Sequence, residues 1–128
     1  MLFVCYPKCG TCQKAKKWLE AKGIVYRERY IHQENPSYEE LKLWHQKSGL
    51  PLKKFFNTSG LLYKAMELKD KLPQMSEEEL LRLLATDGML VKRPILIVES
   101  ETEGGETAPG SVLVGFKEDQ WEAVLCQE

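Results

Sequence analysis

The feature that most constrains this chain is Cys9-Gly10-Thr11-Cys12, which follows a short apolar segment, Leu2-Phe3-Val4-Cys5-Tyr6, stopped by Pro7. A run of that length and composition reads as a buried strand. From Gly10 onward Cys12, Ala15, Trp18 and Leu19 recur at spacings of three and four, Lys14, Lys16, Lys17 and Glu20 take the other side, and Lys22-Gly23 closes the segment. An amphipathic helix therefore starts at the cysteine pair. Ile24 to Ile31 then reads as a second strand, rich in β-branched and aromatic residues, and its Arg27, Glu28 and Arg29 place it near a sheet edge.

Two thiols at a strand-to-helix turn inside a βαβ unit predict a thioredoxin-like redox site. The first helical turn offers unpaired N–H groups and the positive end of the helix dipole, so a Cys9 thiolate should form at lower pH than a free thiol near ~8.5. The thiolate is the nucleophile that disulfide exchange needs. Cys12 shares the inward stripe with Ala15 and Leu19, which assigns Cys9 as attacker and Cys12 as resolver.

Ser37-Tyr38-Glu39-Glu40 and Ser76-Glu77-Glu78-Glu79 both spell the Ser-x-x-Glu capping box, so a helix begins at each. The first runs to about Ser48-Gly49 with Leu41 and Trp44 inward, and the second carries Leu80, Leu81, Leu83 and Leu84 to about Asp87-Gly88. Between them, the Phe55 to Gly60 segment reads as a loop that leads into helical turns around Leu61 to Leu68, broken before Pro73. Ile95-Leu96-Ile97-Val98 predicts a strand covered on both faces. Residues 99–110, acidic and glycine-rich, predict a mobile hairpin loop. Ser111 to Phe116 supplies the return strand, and Lys117 to Cys126 a closing helix with Trp121, Val124 and Leu125 inward. The predicted fold is α/β and thioredoxin-like: βαβ, a helical insert over about 32–90, then ββα, with a small mixed four-stranded sheet in one domain over 1–128.

With 128 residues the chain can bury a core without metal or disulfide staples. Its 18 basic and 19 acidic residues leave a charge of −1, which argues against direct binding of nucleic acid. No apolar run approaches the ~18–20 residues that cross a bilayer, and the N-terminus lacks the length and charge of a signal peptide, so a cytoplasmic protein without a membrane partner is expected. The cysteines at 5, 9, 12 and 126 do not form the spread framework of a secreted protein. A zinc site wants four ligands, and His32 and His45 stand alone with no second ligand pair at sensible spacing, so no metal is expected. The Cys5, Cys9 and Cys12 spacing also matches a radical-type iron–sulfur motif, but that fold needs a larger barrel and would put Cys5 on a loop. Cys126 reads as an idle thiol. Lys14, Lys16, Lys17, Lys22, Lys53 and Lys54 read as solvated helix faces.

Arg93-Pro94 stands just ahead of the best strand, the slot in which a thioredoxin-like sheet holds a cis-proline facing the cysteines. Arg93 supplies a fixed positive charge for a thiolate or oxyanion. Pro94, with Lys8, Gly10 and Thr11, is expected to contact the substrate.

Tyr6-Pro7-Lys8-Cys9-Gly10-Thr11-Cys12-Gln13-Lys14-Ala15 with Trp18-Leu19, the Phe56-Asn57-Thr58-Ser59-Gly60 loop, the Leu80 to Leu84 helix and Lys92-Arg93-Pro94-Ile95 together resemble the ArsC/Spx family of thioredoxin-fold arsenate reductases and Spx-type regulators of RNA polymerase. The resemblance implies that Cys9 is the nucleophile, that Arg93 lies near it, and that the middle of the chain is a family-specific insert. Arsenate reductases of this kind surround the nucleophile with three arginines, and only Arg93 matches; Thr58 or Ser59 and Val114-Gly115 fall at the other two positions. At roughly 1.5–3 kcal/mol for each charge-assisted contact, losing two costs several orders of magnitude in oxyanion affinity. The reading is a thiol–disulfide oxidoreductase with a redox-active Cys9–Cys12 pair and no bound cofactor. Its partners would be a thiol reductant and a disulfide-bearing protein or small molecule. The resemblance implies two alternatives, a redox-switched regulator contacting RNA polymerase and a weak arsenate reductase.

Overall fold

The computed structural model describes residues 1–101, 104–105 and 107–126, without the side chains of 100, 101, 107 and 108. Four strands, β1 (Leu2–Cys5), β2 (Arg27–Tyr30), β3 (Ile95–Glu101) and β4 (Thr107–Val114), form one sheet in the order β2-β1-β3-β4. β1 runs parallel to β2 and antiparallel to β3, and β3 is antiparallel to β4. This is the mixed four-stranded, thioredoxin-like sheet that the element order predicts, with β2 at an edge.

Alternation along the two central strands divides the core. Val4, Ile95 and Ile97 face a cluster built with the helices between β2 and β3, whereas Phe3, Cys5 and Leu96 face α1 (Gly10–Ala21) and α6 (Glu118–Leu125). The first layer contains α2 (Tyr38–Ser48), α3 (Leu61–Ala65), α4 (Leu68–Lys71), α5 (Glu77–Thr86) and short 3-10 turns at Leu52–Phe55, Leu72–Gln74 and Gly88–Leu90. Both predicted capping boxes form: Ser37 with Glu40, and Ser76 with Glu79, each exchange side-chain and backbone hydrogen bonds. Gly88 packs this layer against the end of β2, where a Cβ would stand 2.6 Å from the Ile31 carbonyl oxygen.

Three expectations need correction. The strand expected from Ile24 begins only at Arg27, because Ile24 closes α1: its N–H bonds the Leu19 carbonyl at 3.0 Å and that of Gly23, at φ +70°, bonds Glu20 at 3.1 Å. This is a Schellman closure, and Val25 just after it is exposed. The expected loop over 99–110 is shorter, since β3 runs on to Glu101 and β4 begins at Thr107 past a register shift between Val98 and Glu99; residues 102, 103 and 106 lie outside the described residues. Ladder hydrogen bonds do not require apolar side chains, and the shift absorbs the misfit. The return strand accordingly ends at Val114. Finally, Val124 is exposed rather than inward, while Trp121 is fully buried and its Nε1 donates to the Gly115 carbonyl at 3.1 Å. Among the described residues no helix is long and apolar enough to cross a membrane.

Candidate functional site

The backbone turns at Pro7 and Lys8 so that Cys9 becomes the N-cap of α1, with φ −88° and ψ 117°. The Cys9 N–H bonds the Tyr6 carbonyl at 3.0 Å, and Gln13 Nε2 reaches back to the Pro7 carbonyl at 2.9 Å, which ties the approach loop to the helix. Cys9 is half-buried, whereas Lys8, Gly10 and Thr11 are exposed, and a Cβ on Gly10 would meet open space. The cysteine therefore opens on the side those three residues occupy. Cys12 is 3% exposed, on the inner stripe of α1, and its sulfur accepts from the Tyr6 N–H at 3.4 Å. All four cysteines are free thiols.

The register of β1 with β3 brings in the second half of the site. Val4 pairs with Ile95, so continuing the antiparallel ladder sets Pro94 and Arg93 beside Cys5 and Tyr6. The Arg93–Pro94 peptide is cis, Pro94 is buried, and its carbonyl accepts from the Gly115 N–H at 2.8 Å. The Arg93 guanidinium lies over the Tyr6 ring, 5.2 Å from its centre, and donates to the Met89 sulfur at 3.7 Å. Its buried Nε has no partner among the described residues.

These neighbours split the two thiols. Partial burial opposes charge on Cys9, but the backbone N–H and thiol of Cys12 and the guanidinium of Arg93 outweigh it and hold the Cys9 pKa below the ordinary thiol value. Burial pushes Cys12 up to about 12, against the pull of the Tyr6 amide. A half-buried sulfur held below the ordinary thiol value thus stands beside a buried one pushed above it. Burial and the nearby Glu28 carboxylate push Cys5 up to about 12 as well.

Sequence reasoning brought Cys9, Cys12 and Arg93 together but passed over their surroundings. Tyr6, Met89 and Gln13 hold the arginine and the approach loop. A cleft of about 330 Å³ has Cys12, Cys5, Lys16, Glu28 and Tyr30 in its wall and opens to solvent past the exposed Gln13, Lys17 and Glu20. Strand alternation supplies the only signal for it, because Phe3 and Cys5 share one face and pair with Glu28 and Tyr30. Neither histidine lies in the wall of this cavity. Among the described residues no three His, Cys, Asp or Glu side chains converge as metal ligands.

The model of the ArsC family matches residues 5–124. The chain belongs to the ArsC family. It is 57% identical over 122 residues to YusI of Bacillus subtilis (strain 168), covering 95% of each chain. It is also 32% identical over 113 residues to the regulatory protein MgsR of the same organism, covering 88% of this chain and 87% of that one. Among solved structures, an ArsC family related protein from Bacteroides fragilis superposes with a TM-score of 0.84 at 52% identity, covering 96% of this chain and 95% of that one. This ArsC-family chain keeps Arg93 as the cation acting on its N-cap cysteine. Thr58 and Ser59 are exposed, and Val114 ends β4.

Proposed function

We propose that this chain is a cytoplasmic thiol–disulfide oxidoreductase, one domain over 1–128, whose working groups are Cys9 and Cys12. The observation that carries the reading is the opposed ionisation of the pair: Cys9 is held below the ordinary thiol value beside Arg93, and Cys12 is pushed up to about 12 beneath it. The Cys9 thiolate attacks one sulfur of a substrate disulfide, and the other substrate sulfur leaves as a thiolate. Cys12, once deprotonated, attacks the Cys9 sulfur, expels the remaining substrate thiolate and forms the Cys9–Cys12 disulfide. The substrate gains two electrons, and an external thiol reductant returns the pair to the dithiol state. Lys8, Gly10 and Thr11 border the open side of Cys9 and, with Pro94, would receive the substrate.

Trapping tests this reading. A Cys12→Ala variant should accumulate mixed disulfides on Cys9, seen as mass adducts that a Cys9→Ser, Cys12→Ala double variant lacks. Failure to trap any adduct under mild oxidation would overturn it.

A second reading is a redox-switched regulator, favoured by the similarity to a regulatory protein across most of both chains. It predicts that RNA polymerase subunits are retained from lysate by the full chain in one oxidation state of the Cys9–Cys12 pair; equal or no retention in both states removes it. Arsenate reduction is the weakest alternative, since one guanidinium stands where three are needed.

A further inference from the structure

The exchange proposed above uses two of the three thiols grouped around the start of α1. The third, Cys5, is 3% exposed at the end of β1 and takes no part in it. A free cysteine often packs as a small hydrophobe, but this one lies against the reacting pair. Strand alternation turns Cys5, with Phe3, toward α1 and into the core cluster that also holds Cys12. The Tyr6 N–H donates to the Cys12 sulfur at 3.4 Å, and only the Cys5 carbonyl carbon separates the Tyr6 nitrogen from the Cys5 Cα. Two bonds of about 1.3 and 1.5 Å therefore put the Cys12 sulfur within about 6 Å of the Cys5 Cα. Bonding the two sulfurs asks for an approach of about 1–2 Å beyond that. Both residues stand in the wall of the 330 Å³ cleft, so open space beside them leaves room for it.

Ionisation decides which pair keeps the bond. A Cys9–Cys12 disulfide leaves Cys5 as the free thiol, and burial together with the Glu28 carboxylate, 4.0 Å from its sulfur, keeps that thiol protonated at neutral pH. A Cys5–Cys12 disulfide leaves Cys9 free instead, where the Cys12 N–H and Arg93 hold its pKa below the ordinary thiol value. Neither of those supports is lost when the Cys12 sulfur becomes bonded. Each pH unit by which the medium exceeds the Cys9 pKa favours the second arrangement about tenfold. The thiol of lower pKa is also the better leaving group, so attack on the Cys12 sulfur expels Cys9 readily.

We propose that Cys5 is a third redox thiol, which takes the disulfide from Cys9 by attacking the Cys12 sulfur and returns Cys9 to the open side of the site as a free thiolate. This rests on the exchange chemistry assigned to the Cys9–Cys12 pair. Cys5 gives its proton to solvent, and the freed electron pair forms the Cys5–Cys12 bond. The Cys9–Cys12 bond breaks and Cys9 keeps its electron pair. This step consumes no oxidant, because the substrate disulfide has already taken the two electrons. The oxidised protein thus stores its disulfide between β1 and α1 and keeps its nucleophile exposed to the next reactant.

Trypsin separates the alternatives, because it cuts after Lys8 and Lys14 and leaves Cys5 on the peptide 1–8 and both Cys9 and Cys12 on 9–14. Protein carrying Cys126→Ser, which removes the exposed terminal thiol, is reduced and then oxidised with one equivalent of dithiobis(nitrobenzoate) at pH 8. It is held for a few hours, the time scale of uncatalysed disulfide rearrangement. Free thiols are blocked with N-ethylmaleimide in acidic denaturant before digestion. The major product should be 1–8 linked to 9–14 with the maleimide on Cys9. Before blocking, the oxidised protein should also keep one thiol that reacts with iodoacetamide within a few-fold of the rate of reduced Cys9, and a Cys5→Ser variant oxidised alike should keep none. A Cys9–Cys12 loop closed within 9–14 as the major product, with the maleimide on Cys5, overturns the proposal while the exchange reading stands. A link from Cys5 to Cys9, with the maleimide on Cys12, overturns it as well. Three blocked thiols with no bond among them overturn both.

Discussion

Replacing Trp121 with alanine should cost about 3–5 kcal/mol, a large share of the 5–15 kcal/mol that holds a domain of this size together. The side chain is fully buried, meets the rings of Phe116, Trp18 and Phe3 at centroid distances of 4.9, 6.1 and 6.4 Å, and caps the Gly115 carbonyl through Nε1. Removing it opens a cavity between α6 and the sheet and leaves that carbonyl without its donor. Thermal unfolding should shift down by on the order of 10–20 °C. The damage should also reach the site, because the Gly115 N–H holds the Pro94 carbonyl. A loss below about 1 kcal/mol would mean that α6 contributes little to the fold.

The thiols should make both reactivity and stability depend on pH, with opposite signs below and above the unfolded thiol value near 9. Cys9 is held below the ordinary thiol value, so its alkylation by iodoacetamide should reach half-maximal rate at lower pH than a free thiol. Arg93→Gln should move that midpoint up and slow alkylation several-fold at pH 6; an unmoved midpoint would remove Arg93 from the site. The native preference for the Cys9 thiolate stabilises the fold above the unfolded thiol pKa and is lost as pH falls through the depressed native one. Cys5 and Cys12, pushed up to about 12, act the other way. They stabilise the fold fully below the unfolded value near 9, and that contribution drains away as pH rises from 9 to 12. Each thiol adds at most about 1.4 kcal/mol per pH unit to the slope. Equilibrium urea unfolding across that window should therefore show stability falling steeply, and Cys12→Ala should make the fall shallower. Equal slopes in the two proteins would mean that Cys12 is not held neutral by the fold.

Much of the architecture was legible because its signals are local. Capping boxes at Ser37 and Ser76, the inward stripe from Cys12 to Leu19 and the continuous apolar run from Ile95 each act within a few residues, so pattern alone located α2, α5, α1 and β3. The misreadings came where one residue type serves two purposes. Ile24 looks like the start of a strand but closes a helix, and Val124 looks like core but lies beyond the reach of the Trp121 cluster. The acidic stretch after Val98 has no apolar pattern, yet β3 and β4 continue along it through backbone pairing.

Local chemistry along the chain determined that Cys9 would begin a helix and that Cys12 would turn inward, since a helix start and a three-to-four spacing need nothing distant. Only the tertiary structure decided what surrounds those sulfurs. The β1–β3 ladder delivers Arg93 to Tyr6 and Cys9, and the β1–β2 ladder puts Glu28 and Tyr30 on the face of Phe3 and Cys5. Charge interactions depend on separation in space, and strand register sets that separation among residues far apart in the chain.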